Sequence, residues 1–395
     1  VGRTVRNPTH RFRSIEIEHD EPGLEPVAQL QVAVDASRTA VSRNDSPDLG
    51  FEFSVNPYRG CHHGCTYCYA RPTHEYLDLG AGTDFERKLL VKPEVPTLLA
   101  RRFDAPSWRG DVVLFSGVTD CYQPLEAEYR LTRACLEVCR DYRNPVGIVT
   151  KSPRVANDLD VLRALHEVAH LTVRISIPVW DLERARAVEP YVASPERRMR
   201  AIAALADAGI DVGINVAPFI PGLTEHDLEG LLQRASAAGA TRAWTTMLRL
   251  PGAVRPVFEA SLAEKLPLTA PKVLGRVRDV RGGRLNDPRF GHRMTGEGAY
   301  ARSIERLFRT LNARYELDGR RDRARPLEPR TFRRPAGRSR AAPGVPPTSP
   351  DGPSQLPLFR DRSEAPPAAG HRPAGPGPTA VQRGIVRPST SVPPR

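Results

Sequence analysis

The stretch Asn56-Pro-Tyr-Arg-Gly-Cys61-His-His-Gly-Cys65-Thr-Tyr-Cys68-Tyr-Ala-Arg-Pro-Thr-His-Glu-Tyr76 decides how the rest of the chain is read. Its C-x3-C-x2-C run directly follows a strand-like segment, 52–55, in a loop opened by Asn56-Pro57 and Gly60. Thiolates spaced so closely all reach one soft metal centre. A disulfide framework fits poorly, because the chain is long and not dense in cysteine. Structural zinc takes four ligands, usually from paired knuckles. His62 and His63 offer a fourth, but inside the first loop, where closing a tetrahedron is awkward. An electron-transfer cluster normally has four cysteine ligands. A cluster with three leaves one iron open for a substrate or cofactor, and this spacing suits that. Free cysteines without metal are usually buried singly as small hydrophobes.

Outward from that loop, apolar strand-like runs alternate with amphipathic helical runs. Strands are expected at 52–55, 112–116, 147–150, 171–177, 212–217 and 242–248. Helices are expected at 125–141, 157–166, 194–208 and 224–238, with a further one at 301–316. Ser194 and Thr224 suit helix caps, Pro195 suits the first helical position, and Gly209 and Gly239 suit the stops. Six such units predict right-handed βαβ connections and a parallel sheet. Two more units would be needed for a closed eight-stranded barrel, and none is visible. The expected organisation is an irregular N-terminal extension (1–50), a core (51–255), a C-terminal helical extension (256–319) and a disordered basic tail (320–395).

The chain has 395 residues and a net charge of +12, which invites a nucleic-acid reading. The charge is uneven. Residues 320–395 hold 15 Arg, no Lys and five acids, so +10 of the +12 lies there. They also hold 17 of the 39 prolines and show no sustained period. Such a segment cannot bury enough apolar surface to offset its ordering entropy. The remainder is nearly neutral. No stretch reaches the ~18 apolar residues of a membrane helix, and Val1 to Arg13 shows no apolar signal region. A cytoplasmic location with no membrane partner is therefore expected.

The triple-Cys run with aromatic Tyr67 before the last Cys resembles the hallmark of radical SAM enzymes. The segments SGVTDCYQPLE, VTKS, EPYVASPERRMRAI and APFIPGLTE are similar to the branch related to spore photoproduct lyase. The resemblance covers about residues 42–310. It implies a partial (β/α)6 TIM-type barrel, an α/β fold, with its site at the C-terminal ends of the strands. It implies a 4Fe-4S cluster on Cys61, Cys65 and Cys68, and S-adenosylmethionine chelated to the fourth iron. Reductive cleavage would give a 5′-deoxyadenosyl radical that takes hydrogen from a substrate. A reductase or flavodoxin-type electron donor is implied as partner.

Matching positions place the cofactor further. Ser116 and Gly117 stand where relatives often carry a Gly-Gly-Glu segment for the methionine amino group. Backbone carbonyls there, or Thr119 and Asp120, must serve instead. Lys151 and Ser176 match positions that meet the S-adenosylmethionine carboxylate, a cation facing an anion. Ala217 stands where relatives place adenine. Cys121, at the end of the second strand, is the expected catalytic thiol, facing the same cavity to return a hydrogen atom. Cys135 and Cys139, four apart on a helix, read as core. Tyr69, His74, Glu75, Tyr122 and Glu126 are candidate substrate-side residues.

In the tail, Gln355-Leu356-Pro357-Leu358-Phe359 resembles the bacterial sliding-clamp-binding pentapeptide. On a flexible arm, Leu356, Leu358 and Phe359 would fill an apolar groove and Gln355 would fix the register. That motif and the basic tail make DNA the leading expected substrate, in repair. The alternatives are radical modification of RNA, protein or a small molecule, and a non-catalytic Fe–S or zinc protein that docks on the clamp.

Overall fold

A computed structural model describes residues 30–319 and 330–336. Ten strands form: β1 (Gln31–Val34), β2 (Val41–Arg43), β3 (Phe53–Val55), β4 (Tyr58–Arg59), β5 (Lys88–Val91), β6 (Val113–Phe115), β7 (Val146–Thr150), β8 (Leu171–Ser176), β9 (Val212–Phe219) and β10 (Arg242–Met247). All six expected strands are present as β3 and β6 to β10, with ends shifted by at most two residues. They lie in chain order, β10-β9-β8-β7-β6-β3, every neighbouring pair parallel. β2 adds antiparallel at the far edge, so the sheet stays open. This is the expected partial barrel; from β6 onward each connection is a βα unit that returns to the next strand, while the one from β3 to β6 also carries β4, the cysteine loop and β5.

Period-2 alternation decides which side chains face the lumen. On β7 and β8, Ile148, Val173 and Ile175 point outward and are fully buried with Leu136, Leu162, Leu165, Ile202 and Leu205 of the surrounding helices. The alternate positions Gly147, Val149, Thr172, Arg174 and Ser176 face inward and line a cavity. One buried cluster therefore holds the wall, and the polar residues are left for the site.

Ser194 caps the helix Pro195–Asp207 by accepting from the Arg197 amide, and Gly209 and Gly239 end their helices at φ of 76° and 90°. Two local expectations fail. The helix drawn over 125–141 breaks at Arg130, whose φ is 49°. The break lets the Glu126 carboxylate accept from the Thr132 and Arg133 amides, both at 3.0 Å, and cap the second piece, Leu131–Asp141. Thr224 does not cap a helix. Its hydroxyl accepts from the Ile220 amide at 2.9 Å in a 3-10 turn, and the helix runs from Leu228 to Ala237.

The strand-like run expected at Leu30 to Val34 in the N-terminal extension is present as β1. β1 pairs parallel with β5, and β4 pairs antiparallel with β5, giving a small sheet of order β1-β5-β4 beside the cysteine loop. β5 has four residues directly after the helix Thr83–Arg87, too short to show a period. After β10 come helices Val254–Lys265, Ala270–Asp279 and Gly298–Arg314.

The tail also departs from expectation at one place. Thr331 is buried and Phe332 packs on the core. Arg334 donates to the carbonyls of Phe103, Ala105 and Trp108 at 2.9–3.1 Å, satisfying a helix C-terminus. Opposite them, Gly110 sits at φ 82°, and a Cβ there would come within 2.3 Å of Phe332. Averaged composition hides a short anchor of one aromatic and one cation. The clamp-like motif, Gln355 to Phe359, lies outside the described residues, as do 1–29, 320–329 and the rest of 337–395.

Candidate active site

The three site cysteines lie in a buried loop between β4 and the 3-10 helix Arg71–Leu77. A loop keeps one shape only if its backbone groups are met. Here the fully buried Arg71 does most of that. Its guanidinium donates to the carbonyls of Gly64, Cys65, Ala81 and Gly82 at 2.8–3.0 Å and pairs with Glu86 at 2.5 Å. Gln123 closes the other side, accepting from the His62 amide at 3.0 Å and donating to the Gly60 carbonyl at 3.1 Å. The Cys61 and Thr66 amides reach the Phe85 and Val188 carbonyls.

The two histidines are each held through Nδ1. His62 Nδ1 lies 3.0 Å from the Glu86 carbonyl, and its ring stacks on Tyr191 at 5.6 Å. His63 Nδ1 lies 3.4 Å from Asp120. Among the described residues no three His, Cys, Asp or Glu side chains converge as a single metal ion requires. A four-iron cluster asks for something different: each thiolate meets its own iron, so its ligands stand apart. Burial pushes the Cys65 and Cys68 thiols up, with Lys151 acting the other way on both. Such thiols become ligands when a metal's charge replaces the proton. Three separate thiols around one cavity fit such a cluster.

Tyr67, between the last two cysteines, donates to Glu189, which pairs with Arg198 at 2.8 Å. Both charged groups are 1% exposed. Arg198 also donates to the Ser176 carbonyl at 2.7 Å, so the chain of contacts runs from the loop to the end of β8. Burial pushes Glu189 up, but Arg198, Lys151 and Tyr67 outweigh it and hold the carboxyl below its ordinary value.

A cavity of about 520 Å³ lies between the loop and the strand ends. Cys61, Cys65 and Cys68 line it together with Ser116, Gly117, Thr119, Asp120, Lys151, Ser176 and Ala217. Every expected metal and cofactor residue is therefore at one place. Lys151 Nζ stands 5.8 Å over the Tyr67 ring. Ser116 takes a left-handed φ of 73°, and its Oγ accepts from the Cys121 amide at 2.8 Å. A non-glycine in that region is a constrained turn.

Two of the expected cofactor contacts are otherwise engaged. The Asp120 carboxylate accepts from the Tyr122 amide, Thr150 Oγ1 and the Lys151 amide at 2.6–2.9 Å, besides facing His63. Burial raises its pKa, but those partners outweigh burial and hold it low. Thr119 Oγ1 donates to the Tyr58 carbonyl.

Cys121 does not face the cavity. It is fully buried in the core, and burial and Asp120 push its thiol well up. The turn after Ser116 directs it behind the wall. Cys135 and Cys139 are core, as expected. Of the substrate-side candidates only Tyr69 lines the cavity; it donates to the Gly117 carbonyl at 2.7 Å. Tyr122 and Glu126 line a separate pocket, His74 is buried against the Lys88 carbonyl, and Glu75 is exposed. Arg71, Gln123, Glu189 and Arg198 lie in segments whose resemblance assigned them no role, and Glu86 lies outside all of them.

A three-Cys loop at the C-terminal ends of a six-stranded partial barrel defines a class. The radical SAM superfamily model matches residues 55–235. An uncharacterized protein of Mycobacterium tuberculosis is 37% identical over 234 residues, 59% of this chain and 68% of the relative. An uncharacterized protein of Methanocaldococcus jannaschii is 29% identical over 176 residues, 45% of this chain and 63% of that one. The chain belongs to the radical SAM superfamily and is a radical SAM enzyme. Its fold is that of spore photoproduct lyase: one structure superposes with a TM-score of 0.54 at 19% identity, covering 72% of this chain and 79% of the other. A complex of that lyase with dinucleoside spore photoproduct gives 0.53 at 18%, covering 75% and 85%. Among the described residues no helix is long and apolar enough to cross a membrane.

Proposed function

We propose that this chain abstracts a hydrogen atom from a nucleic-acid substrate, DNA in a repair reaction being the first choice. The observation that carries the reading is the single cavity shared by Cys61, Cys65, Cys68 and the expected cofactor residues. Cys61, Cys65 and Cys68 would hold a 4Fe-4S cluster. The backbone at Ser116 and Gly117 would meet the amino group of S-adenosylmethionine, Lys151 and Ser176 its carboxylate, and Ala217 its adenine. When bound, these groups supply reductive cleavage of the sulfonium and a hydrogen-abstracting radical.

The protein's own part is position and exclusion of water. Arg71 and Gln123 fix the loop that presents the thiols. Glu189 and Arg198 fix Tyr67 relative to the end of β8. The fold shared with spore photoproduct lyase, solved with a dinucleoside photoproduct, supports the substrate class.

Anaerobic reconstitution tests this. With dithionite and S-adenosylmethionine the chain should form 5′-deoxyadenosine, and Cys61→Ala should form none. Bound zinc without iron would sink the reading. Product formation stimulated by damaged DNA, and not by RNA or peptides, supports the DNA assignment; the reverse removes it.

A further inference from the structure

We propose that the wall built by β8, β10 and the segment after β10 binds anionic oxygens of the substrate, through Arg174 in the lumen and Arg249 at its mouth. This rests on the reading that substrate and S-adenosylmethionine share the cavity. Arg174 projects from β8, and its guanidinium lies 3.8 Å over the indole of Trp244 on β10. β9 runs between those strands and carries Gly213 in register with both Arg174 and Arg242. A Cβ at Gly213 would come within 2.4 Å of the Trp244 ring. The absent side chain makes room for the stack.

Most buried arginines here have a carboxylate: Arg71 has Glu86, Arg198 has Glu189, Arg293 has Asp48. Arg174 and Arg249 make no salt bridge among the described residues, although both are half-buried and line the cavity. Arg249 contacts the Met294 sulfur at 3.6 Å, and its Nε is buried without a hydrogen bond. A guanidinium out of water and without a counter-ion is costly. The cavity's own carboxylates do not answer the need. Asp48 attracts Arg249 and Asp211 attracts Arg174, but neither forms a salt bridge with it; Asp48 is taken by Arg293 and the Gly291 amide, and Asp120 by its four partners.

The cofactor does not answer it either. S-adenosylmethionine would bring a carboxylate, a sulfonium and an ammonium, a net positive charge that the negative charge of a cluster on three thiolates would only offset. The surplus positive charge therefore belongs to the substrate, and guanidinium suits the paired oxygens of a phosphate or carboxylate.

The probes are uridine 5′-monophosphate, orotate and uridine, which share a pyrimidinedione ring and carry a phosphate, a carboxylate or no anion. Each is titrated calorimetrically into the reconstituted full chain with S-adenosylmethionine present. At least one anion should bind about tenfold more tightly than uridine, and which one identifies the oxyanion. Raising salt should weaken that anion and not uridine. Arg174→Gln and Arg249→Gln should each cut the preference, the double substitution should abolish it, and Arg174→Lys should restore part of it. Three equal affinities, no binding of any probe, or a preference that survives the double substitution overturns the proposal. The titration needs no turnover. Anion preference without 5′-deoxyadenosine formation would mean that the radical reading fails and the wall stands; formation without preference would mean the opposite.

Discussion

The two ends of the barrel are built from opposite materials. At the C-terminal ends of the strands, Arg71, Glu86, Glu189 and Arg198 are buried or nearly so and hold the cysteine loop through charge and backbone carbonyls. At the N-terminal ends, Phe53, Phe103, Trp108, Tyr142 and Phe332 pack ring against ring, with centroids 5.0–6.4 Å apart. Aromatic packing stabilises strongly but tolerates small shifts in geometry. A buried polar network costs desolvation, yet it permits few arrangements, because every donor must keep its acceptor. The end that holds the cysteine loop has the material that specifies position.

The cysteines repeat the contrast. Cys61, Cys65 and Cys68 sit in a loop whose carbonyls are clamped, and they line a cavity. Cys121, Cys135 and Cys139 sit among apolar side chains in the main core. The residue type is the same, and the backbone setting decides its role.

The sharpest way to break the comparison is Arg71→Met. Four carbonyls and Glu86 would lose their buried partner, a change of the kind that costs about 3–5 kcal/mol. If the polar end specifies the loop, the variant should lose most of its iron on desalting after reconstitution, and 5′-deoxyadenosine formation should fall with it. Iron content matching the parent would show that the cysteines hold their geometry unaided.

A second prediction separates the two ends by pH. Glu126, bonded to Tyr58 of β4 ahead of the cysteine loop, is pushed up to about 7 by burial, against an ordinary value of 4.5. Its folded pKa lies above its unfolded one, so the folded state binds the proton more tightly. Its stabilising contribution is full below about pH 4.5 and is lost as pH rises to about 7, on the order of 3 kcal/mol across that window. Denaturant midpoints for Glu126→Gln should be flatter between pH 5 and 7 than those of the parent. Parallel curves would mean that Tyr58 and the two amides keep the carboxylate charged throughout.

These residues also show what was legible beforehand. The six strands were readable because strand periodicity is local, and the thiols because eight residues contain all three. Every cofactor position read from strand ends reached the cavity, since a parallel barrel brings those ends together. The network was not readable. Tyr67 and Glu189 are 122 positions apart, and in a chain with 58 Lys and Arg a buried arginine looks like any surface one. Cys121 misled because a strand end predicts proximity to the site, while the turn at Ser116 sets which way the next side chains point.

The smallest effect is expected at the aromatic end, where it tests whether the two ends are independent. Phe332 is half-buried against Phe103 and Tyr142, so Phe332→Ala should cost about 2 kcal/mol, less than a fully buried ring. Truncation after Gly319 removes the same anchor and should lower the denaturant midpoint similarly, whereas truncation after Gly337 keeps it and should not. The anchor sits at the strand N-termini, away from the cysteine loop. 5′-Deoxyadenosine formation per folded molecule should therefore be unchanged in all three. Non-specific DNA affinity, if carried by the basic tail, should fall in both truncations and stay salt-sensitive in the parent. A drop in turnover with Phe332→Ala would mean that packing at one end sets geometry at the other, and the division of labour between the ends would have to be given up.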